Sequence, residues 1–373
     1  MHIRSVFITL SIWLLFLPSV FAQKRIHARV NPNADTFNAG ADLYVPQSGE
    51  FVPTAGNMVV AREEHTAVTM NDGRVLIAGG KDNRYLKSAE IFDPSTGLFE
   101  PNYQTTTSPI SGLSTTTVGD MNSARSGAEG VLLLDGRVLI AGGYNGTYLK
   151  TAELYDPETG VFNSARNMQE ARYRPSMTLL SDDRVLLTGG FNSAFLSSAE
   201  IYNPFSDLFT YTSSMITARN GHTATLLSNG KVLVAGGCAN AESNRIVCDE
   251  YLSSAEIYDP VTGIFEPTGD LNEARAEHTA SLLPDGRVLI AGGTDGNTPL
   301  ATAEIYDPET GTFTYSGNMG TSRMAHTATV MFDGRVLLAG GYSGSYLNSA
   351  EVFTPSSGTF SPVASSMSTQ RPS

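Results

Sequence analysis

The octapeptide Gly-Arg-Val-Leu-Ile-Ala-Gly-Gly occurs three times letter for letter, at Gly73 to Gly80, Gly136 to Gly143 and Gly286 to Gly293. Near copies end at Gly190, Gly237 and Gly341, which makes six versions in one chain. The glycine pairs are spaced by 63, 47, 47, 56 and 48 residues, so one unit recurs with two insertions. Self-similarity at such a period means a stack of supersecondary units, each too small to bury both of its faces alone.

Each unit shares one internal grammar, legible from His278 to Met319. Four short runs rich in aliphatic, threonine and aromatic residues, HTASLL, RVLIAGG, TAEIYDP and TFTYSG, predict strands a, b, c and d. Asp-Gly or Asn-Gly separates a from b in five units, the pair that a tight hairpin with positive φ favours; only Asp183-Arg184 departs. Asp-Pro with a glycine three residues later, as at Asp93-Pro94 to Gly97, separates c from d. These joints fold each unit into a four-stranded meander, and a closed ring of meanders protects edges that a linear stack leaves open.

The glycine pair closing strand b, the aromatic near the end of strand c (Phe92, Tyr155, Tyr202, Tyr258, Tyr306, Phe353) and a Met-x-x-x-Arg step before strand a resemble kelch repeats, the four-stranded blades of a β-propeller. The likeness runs from residue 40 to the C-terminus and implies an all-β fold. Strand d carries phenylalanine (Phe99, Phe162, Phe209, Phe265, Phe313, Phe360) where many kelch repeats carry tryptophan. Ala41 to Tyr44 and Gly49 to Phe51 read as strands c and d of a further blade, and the final MSTQRPS matches an approach to strand a. Six complete blades and an N-terminal half blade are therefore expected, a seven-position ring with one inner hairpin missing. A six-bladed ring with a spare half blade, or a sequence cut short, are the alternatives.

Residues 1–22 fit a secretory leader: Arg4, an apolar run from Val6 to Leu17, and a small residue, Ala22, at the expected cleavage point. This divides the chain into a signal peptide (1–22), an N-terminal segment (23–39) and the propeller (40–373), and implies a secreted or periplasmic monomer with no membrane span after cleavage. The formal net charge of −13 makes nucleic acid and anionic membranes poor partners. Cys238 and Cys248, close together in a chain bound for an oxidising compartment, read as a disulfide closing a short loop.

In an up-and-down blade the a–b and c–d turns share one face, and the b–c and d–a connections share the other. The turns are monotonous, whereas the connections vary, so function is expected on the connection face. The cysteine loop and an insertion from Asn102 to Gly119 both fall in such connections. The glutamate of every c strand and the arginine of every Met-x-x-x-Arg step repeat too regularly for catalysis and imply a scaffold role. His65, His222, His278 and His326 open four a strands at a spacing dictated by the repeat, which gives no metal geometry.

Departures from the repeat supply the candidate contact residues. Glu129, Tyr173 and Arg174 stand near the centre in blades 2 and 3; Tyr144, Asn145, Phe191, Asp295 and Tyr342 follow the glycine pairs. Tyr85, Tyr148, Phe195, Tyr251 and Tyr346 precede a leucine and read as packing. No catalytic residue, metal or cofactor is assigned. The expected function is protein or glycan binding through the connection face. The alternative is a carbohydrate-active enzyme similar to the kelch mutarotase that epimerises sialic acid. A copper oxidase similar to galactose oxidase or glyoxal oxidase would require a thiol crosslinked to tyrosine, and pairing of the two cysteines leaves none.

Overall fold

The computed structural model describes residues 39–107, 114–239 and 248–368. The expected signal peptide and nearly all of the segment before the propeller lie outside that range. The described chain is all strand and turn. Six four-stranded antiparallel sheets run in the order a-b-c-d. Blade 1 comprises Thr66–Thr69, Val75–Ala78, Ala89–Asp93 and Leu98–Pro101. Blade 2 starts its a strand at Glu129–Leu132, blade 3 at Ser176–Leu179, blade 4 at Thr223–Leu226, blade 5 at Thr279–Leu282 and blade 6 at Thr327–Val330. Strand a of each blade lies beside strand a of the next from blade 1 through blade 6, so these strands surround the axis.

The repeated aliphatics explain the stacking. In strand b, alternate side chains face opposite neighbours. Leu76 and Ala78 of blade 1 share a core with Val138 and Ile140 of blade 2, and Leu289 and Ala291 of blade 5 share one with Val336 and Leu338 of blade 6. Each strand c aromatic stands directly opposite the strand d phenylalanine, as in Tyr202 with Phe209 at 4.6 Å between ring centroids.

A buried ion pair fastens every blade. The arginine before strand a donates through Nη2 to the strand c glutamate at 2.6–3.1 Å, in Arg62–Glu90, Arg125–Glu153, Arg172–Glu200, Arg219–Glu256, Arg275–Glu304 and Arg323–Glu351. The same carboxylate accepts two backbone amides of the incoming d–a crossover, those of Ile216 (2.7 Å) and Thr217 (3.2 Å) in blade 4. The crossover backbone is meanwhile tied to the blade it leaves: Met215 N donates to Ser197 O and Arg219 N to Leu196 O. One segment thus joins two blades, with its backbone on one and its arginine in the other.

The glycine pair completes this joint. Arg219 Nη1 donates to Gly236 O at 2.8 Å, while Gly237 N donates to Arg275 O of the next blade at 2.8 Å. Both glycines adopt positive φ, +59° and +96°. A Cβ on Gly236 would lie 2.5 Å from Arg275 O, so no side chain fits.

Asp42–Val45 and Glu50–Pro53 form the N-terminal hairpin, with Tyr44 opposite Phe51 as in any c–d pair. Asp42 occupies the place of the strand c glutamate and accepts from Ser368 N (3.2 Å) and Ser368 Oγ (3.1 Å). Phe51 N donates to Ser365 Oγ. The C-terminal crossover therefore docks on the N-terminal strand pair as the others dock on their blades.

The insertion after strand d of blade 1 carries its own two-stranded sheet, Tyr103–Thr107 with Ser114–Val118. It is rooted at the outer edge, where Asn102 Nδ2 donates to Gly119 O and to Gly160 O in the c–d turn of blade 2. It follows the outermost strand and so stands farther from the axis than the cysteine loop, which follows strand b. The Asp183 departure is also explained: its φ of +69° replaces the glycine's, and its Oδ1 accepts Leu134 N of blade 2 at 2.9 Å.

Removing one partner of a buried, hydrogen-bonded pair leaves an uncompensated charge. Glu256→Ala is expected to lower stability by about 3–5 kcal/mol, read as a shift in the urea midpoint. The double change Arg219→Met with Glu256→Leu should recover most of that loss.

Candidate functional site at the axial mouth

After each fastened arginine come two residues and then the histidine position: Glu63-Glu64, Ser126-Gly127, Tyr173-Arg174, Asn220-Gly221, Ala276-Glu277 and Met324-Ala325. The backbone of these dyads is uniform. The first residue bridges the residue after the glycine pair, as in Tyr173 with Phe191, Asn220 with Cys238 and Met324 with Tyr342. The second has positive φ in all six copies, between +48° and +66°, although only two are glycine. These second residues join around the axis: Gly127 N donates to Glu64 O, Arg174 N to Gly127 O, Glu277 N to Gly221 O and Ala325 N to Glu277 O, each at 2.9 Å. Two hydrogen-bonded runs, Glu64–Gly127–Arg174 and Gly221–Glu277–Ala325, thus carry side chains that differ from blade to blade.

A cavity of about 620 Å³ opens there. One wall is polar: Glu64 Oε1 accepts Arg174 Nη2 at 2.5 Å, and Oε2 accepts Tyr173 Oη at 3.0 Å and Ser126 Oγ. The Arg174 guanidinium sits 5.0 Å from the centroid of the Tyr173 ring. Burial and the Glu64 carboxylate push the Tyr173 phenol well above its ordinary value, which keeps it a hydrogen-bond donor. Facing walls carry Phe191, Phe195, Tyr251, Tyr342, Tyr346 and Met324. Asn220 and Glu277 lie among them. Asn220 Oδ1 is buried with no hydrogen-bond partner among the described residues. Desolvation pushes the Glu277 carboxyl up to about 7, with Arg174 working against it.

Of the residues singled out from sequence, Tyr173, Arg174, Phe191 and Tyr342 line the cavity. Tyr144 packs edge-on against Tyr173 (6.2 Å) and Tyr85 (5.6 Å), one step outward. Asn145 lies in the same loop and accepts Thr147 Oγ1. Asp295 Oδ1 accepts Asn297 N and Thr298 N and so caps its own turn. Glu129 opens strand a of blade 2 and is buried, outside the cavity lining. Glu64, Asn220 and Glu277 were passed over, and Phe195, Tyr251 and Tyr346, read as packing, line the wall too. The signal that would have found the first three is the variable dyad after an invariable arginine.

The histidines act between blades. Nε2 of His222, His278 and His326 lies 2.9–3.0 Å from Oγ1 of Thr188, Thr223 and Thr279 on the preceding blade. Burial lowers His65 to about 4 and His278 to about 3, so both rings are neutral at pH 7.

The kelch motif profile matches residues 64–101, 130–169, 219–272, 278–320 and 323–367, more than half of the chain. The chain belongs to the kelch family. Blade 3, outside those matches, is the kelch blade with Asp183 and Asp207 at the glycine positions of its two turns and Pro175 at the histidine position. No curated protein sequence matches the chain. Among solved structures, a fungal alcohol oxidase of the AA5 family in complex with copper is similar, at 18% identity and a TM-score of 0.63. The alignment covers 81% of this chain and 65% of that one, and shows a shared fold. The residues here do not suit such a copper centre. Cys238 and Cys248 form a disulfide, which leaves neither thiol for a tyrosine crosslink. Among the described residues no three His, Cys, Asp or Glu side chains converge for a metal.

The raised Glu277 carboxyl gives a pH signature. Between about 4.5 and 7 the folded protein keeps a proton that the unfolded chain has lost, so stability falls as pH rises through that window and levels off above it. Relative to Glu277→Gln, the wild type is expected to lose stability from pH 4.5 to 7 at up to about 1.4 kcal/mol per unit, measured by urea unfolding at each pH.

Proposed function

We propose that this kelch propeller is an exported binding module that takes a glycan at its axial mouth. The observation that carries the reading is the cavity itself: the half-buried aromatics Tyr251, Tyr342 and Tyr346 surround a few convergent polar groups, among them a buried acceptor at Asn220 with no partner among the described residues. Aromatic faces for C–H surfaces, with fixed donors and acceptors for hydroxyls, are what sugar recognition requires, and the concave shape suits a small ligand better than a flat protein surface. Arg174 is already engaged by Glu64, so a neutral or amino sugar suits the site better than an acidic one. Export is supported by the leader-like N-terminus and by the disulfide. A monomer is the proposed state.

A second reading, a sugar mutarotase, draws on one observation. Anomer exchange needs a group that both gives and takes a proton near neutrality, and Glu277 has a pKa of about 7.

Calorimetric titration of neutral hexoses and N-acetylhexosamines against the exported chain tests the binding reading. Saturable binding is expected, weakened about tenfold by Asn220→Ala or by Tyr342→Ala, a loss of 1–2 kcal/mol per contact. Absence of binding at millimolar sugar, or variants that bind like wild type, would overturn it. Acceleration of anomer exchange that Glu277→Gln abolishes would shift the assignment to the mutarotase.

A further inference from the structure

Several b–c connections share one tight tip. The residue after the glycine pair bridges the residue four places on, as in Tyr144 with Tyr148, Phe191 with Phe195 and Tyr342 with Tyr346. Between them the first tip residue donates its amide to the carbonyl two places on: Asn145 to Thr147, Asn192 to Ala194 and Ser343 to Ser345. Only in blade 2 does the sequence place Asn-Gly at that tip. Gly146 is exposed and takes a φ of +106°, and a Cβ there would meet nothing within 4 Å. No carbonyl holds its N–H among the described residues. A backbone nitrogen this unhindered is free to swing onto the side-chain carbonyl carbon of the asparagine before it.

The Asn145 side chain is set up for such an attack. Thr147 Oγ1 donates to Asn145 Oδ1 at 3.2 Å. Attack at Cγ moves negative charge onto Oδ1, so the hydroxyl already points at the atom where charge develops, and a donor held there lowers the barrier. Comparable pairs elsewhere in the ring are restrained. In Asn229-Gly230 the glycine N donates to Leu227 O at 2.9 Å, and Asn229 Oδ1 accepts Lys231 N at 3.1 Å. In Asn192-Ser193 the side-chain amide of Asn192 is held on Glu170 Oε1 at 3.1 Å. In Asn220-Gly221 the asparagine is bridged to Cys238, and its buried Oδ1 meets no donor among the described residues.

We propose that Asn145 is a site of self-catalysed deamidation, with Thr147 as the oxyanion donor. The Gly146 N–H gives its proton to solvent hydroxide, and the nitrogen bonds to Asn145 Cγ. The Cγ–Nδ2 bond then breaks, and Nδ2 takes a proton from water and leaves as ammonia. The five-membered succinimide that remains adds one water at either of its carbonyls and opens to aspartate or isoaspartate. The product carries a new carboxylate, and as isoaspartate an extra backbone methylene, beside Tyr144, which packs on Tyr173 of the mouth at 6.2 Å. The rim of the mouth thus changes charge and shape as the chain ages.

The test incubates the purified full chain at mildly alkaline pH over days, with a zero-time sample as blank. Trypsin then releases Val138 to Lys150, in which Asn145 is the single asparagine, and mass spectrometry reads the conversion of amide to acid. Asn145 is expected to convert at least about tenfold faster than Asn229, whose two hydrogen bonds must break first. In urea, where the fold's hydrogen bonds are gone, the two Asn-Gly pairs should convert at similar rates. Thr147→Val should slow conversion at Asn145 several-fold in the folded chain, and Thr147→Ser should keep the wild-type rate. An unconverted Asn145, a preference over Asn229 that persists unchanged in urea, or an undiminished rate in Thr147→Val would overturn the proposal.

Discussion

Everything in this ring is referred to the buried arginine–glutamate pair between the d–a crossover and strand c. The arginine is nearly or fully excluded from solvent in each copy, and its donors end on a carboxylate and on glycine carbonyls. An ion pair buried this deeply is tolerated only when its geometry and remaining hydrogen bonds are complete. That condition propagates outward. The glutamate must sit at one place in strand c, the crossover must offer two amides to it, and the glycine pair must let a carbonyl of the next blade approach to hydrogen-bond distance. The repeated phrase of the sequence is the visible part of this joint.

The same pair sets up the mouth. Two residues after the arginine the chain is turned into positive φ, a conformation that costs a non-glycine residue of order 1 kcal/mol or more. Four of six copies bear that strain at Glu64, Arg174, Glu277 and Ala325. Three of these are ionisable, and all three line the cavity. Strain held at positions that also carry the least repetitive side chains marks the place where the scaffold has been specialised. Histidines on the strand a side of the dyads are spent on packing between blades.

How much of this was legible depended on whether a feature is periodic. Hairpin glycines, paired aromatics, the arginine and the glutamate all follow from the repeat, and so does the half blade, because Asp42, Tyr44 and Phe51 keep the c–d register. The cavity is not periodic. It gathers single residues from blades far apart in sequence, Glu64 beside Arg174 and Asn220 near Glu277, and only closure of the ring makes them neighbours. Glu129 stood out as a departure from the repeat, but strand alternation and neighbouring inner strands bury it. Phe195 and Tyr251 looked like packing since a leucine follows each; the leucine is buried, and the aromatic turns toward the mouth.

Hydrogen exchange on Glu256→Gln protein tests most directly whether the ion pair positions the mouth. Ile216 and Thr217 amides, which donate to that carboxylate, should lose protection, and Asn220 and Gly221 at the mouth should lose it with them, while blade 2 keeps its protection. Unchanged protection at Asn220 and Gly221, or a loss spread evenly around the ring, would contradict the account.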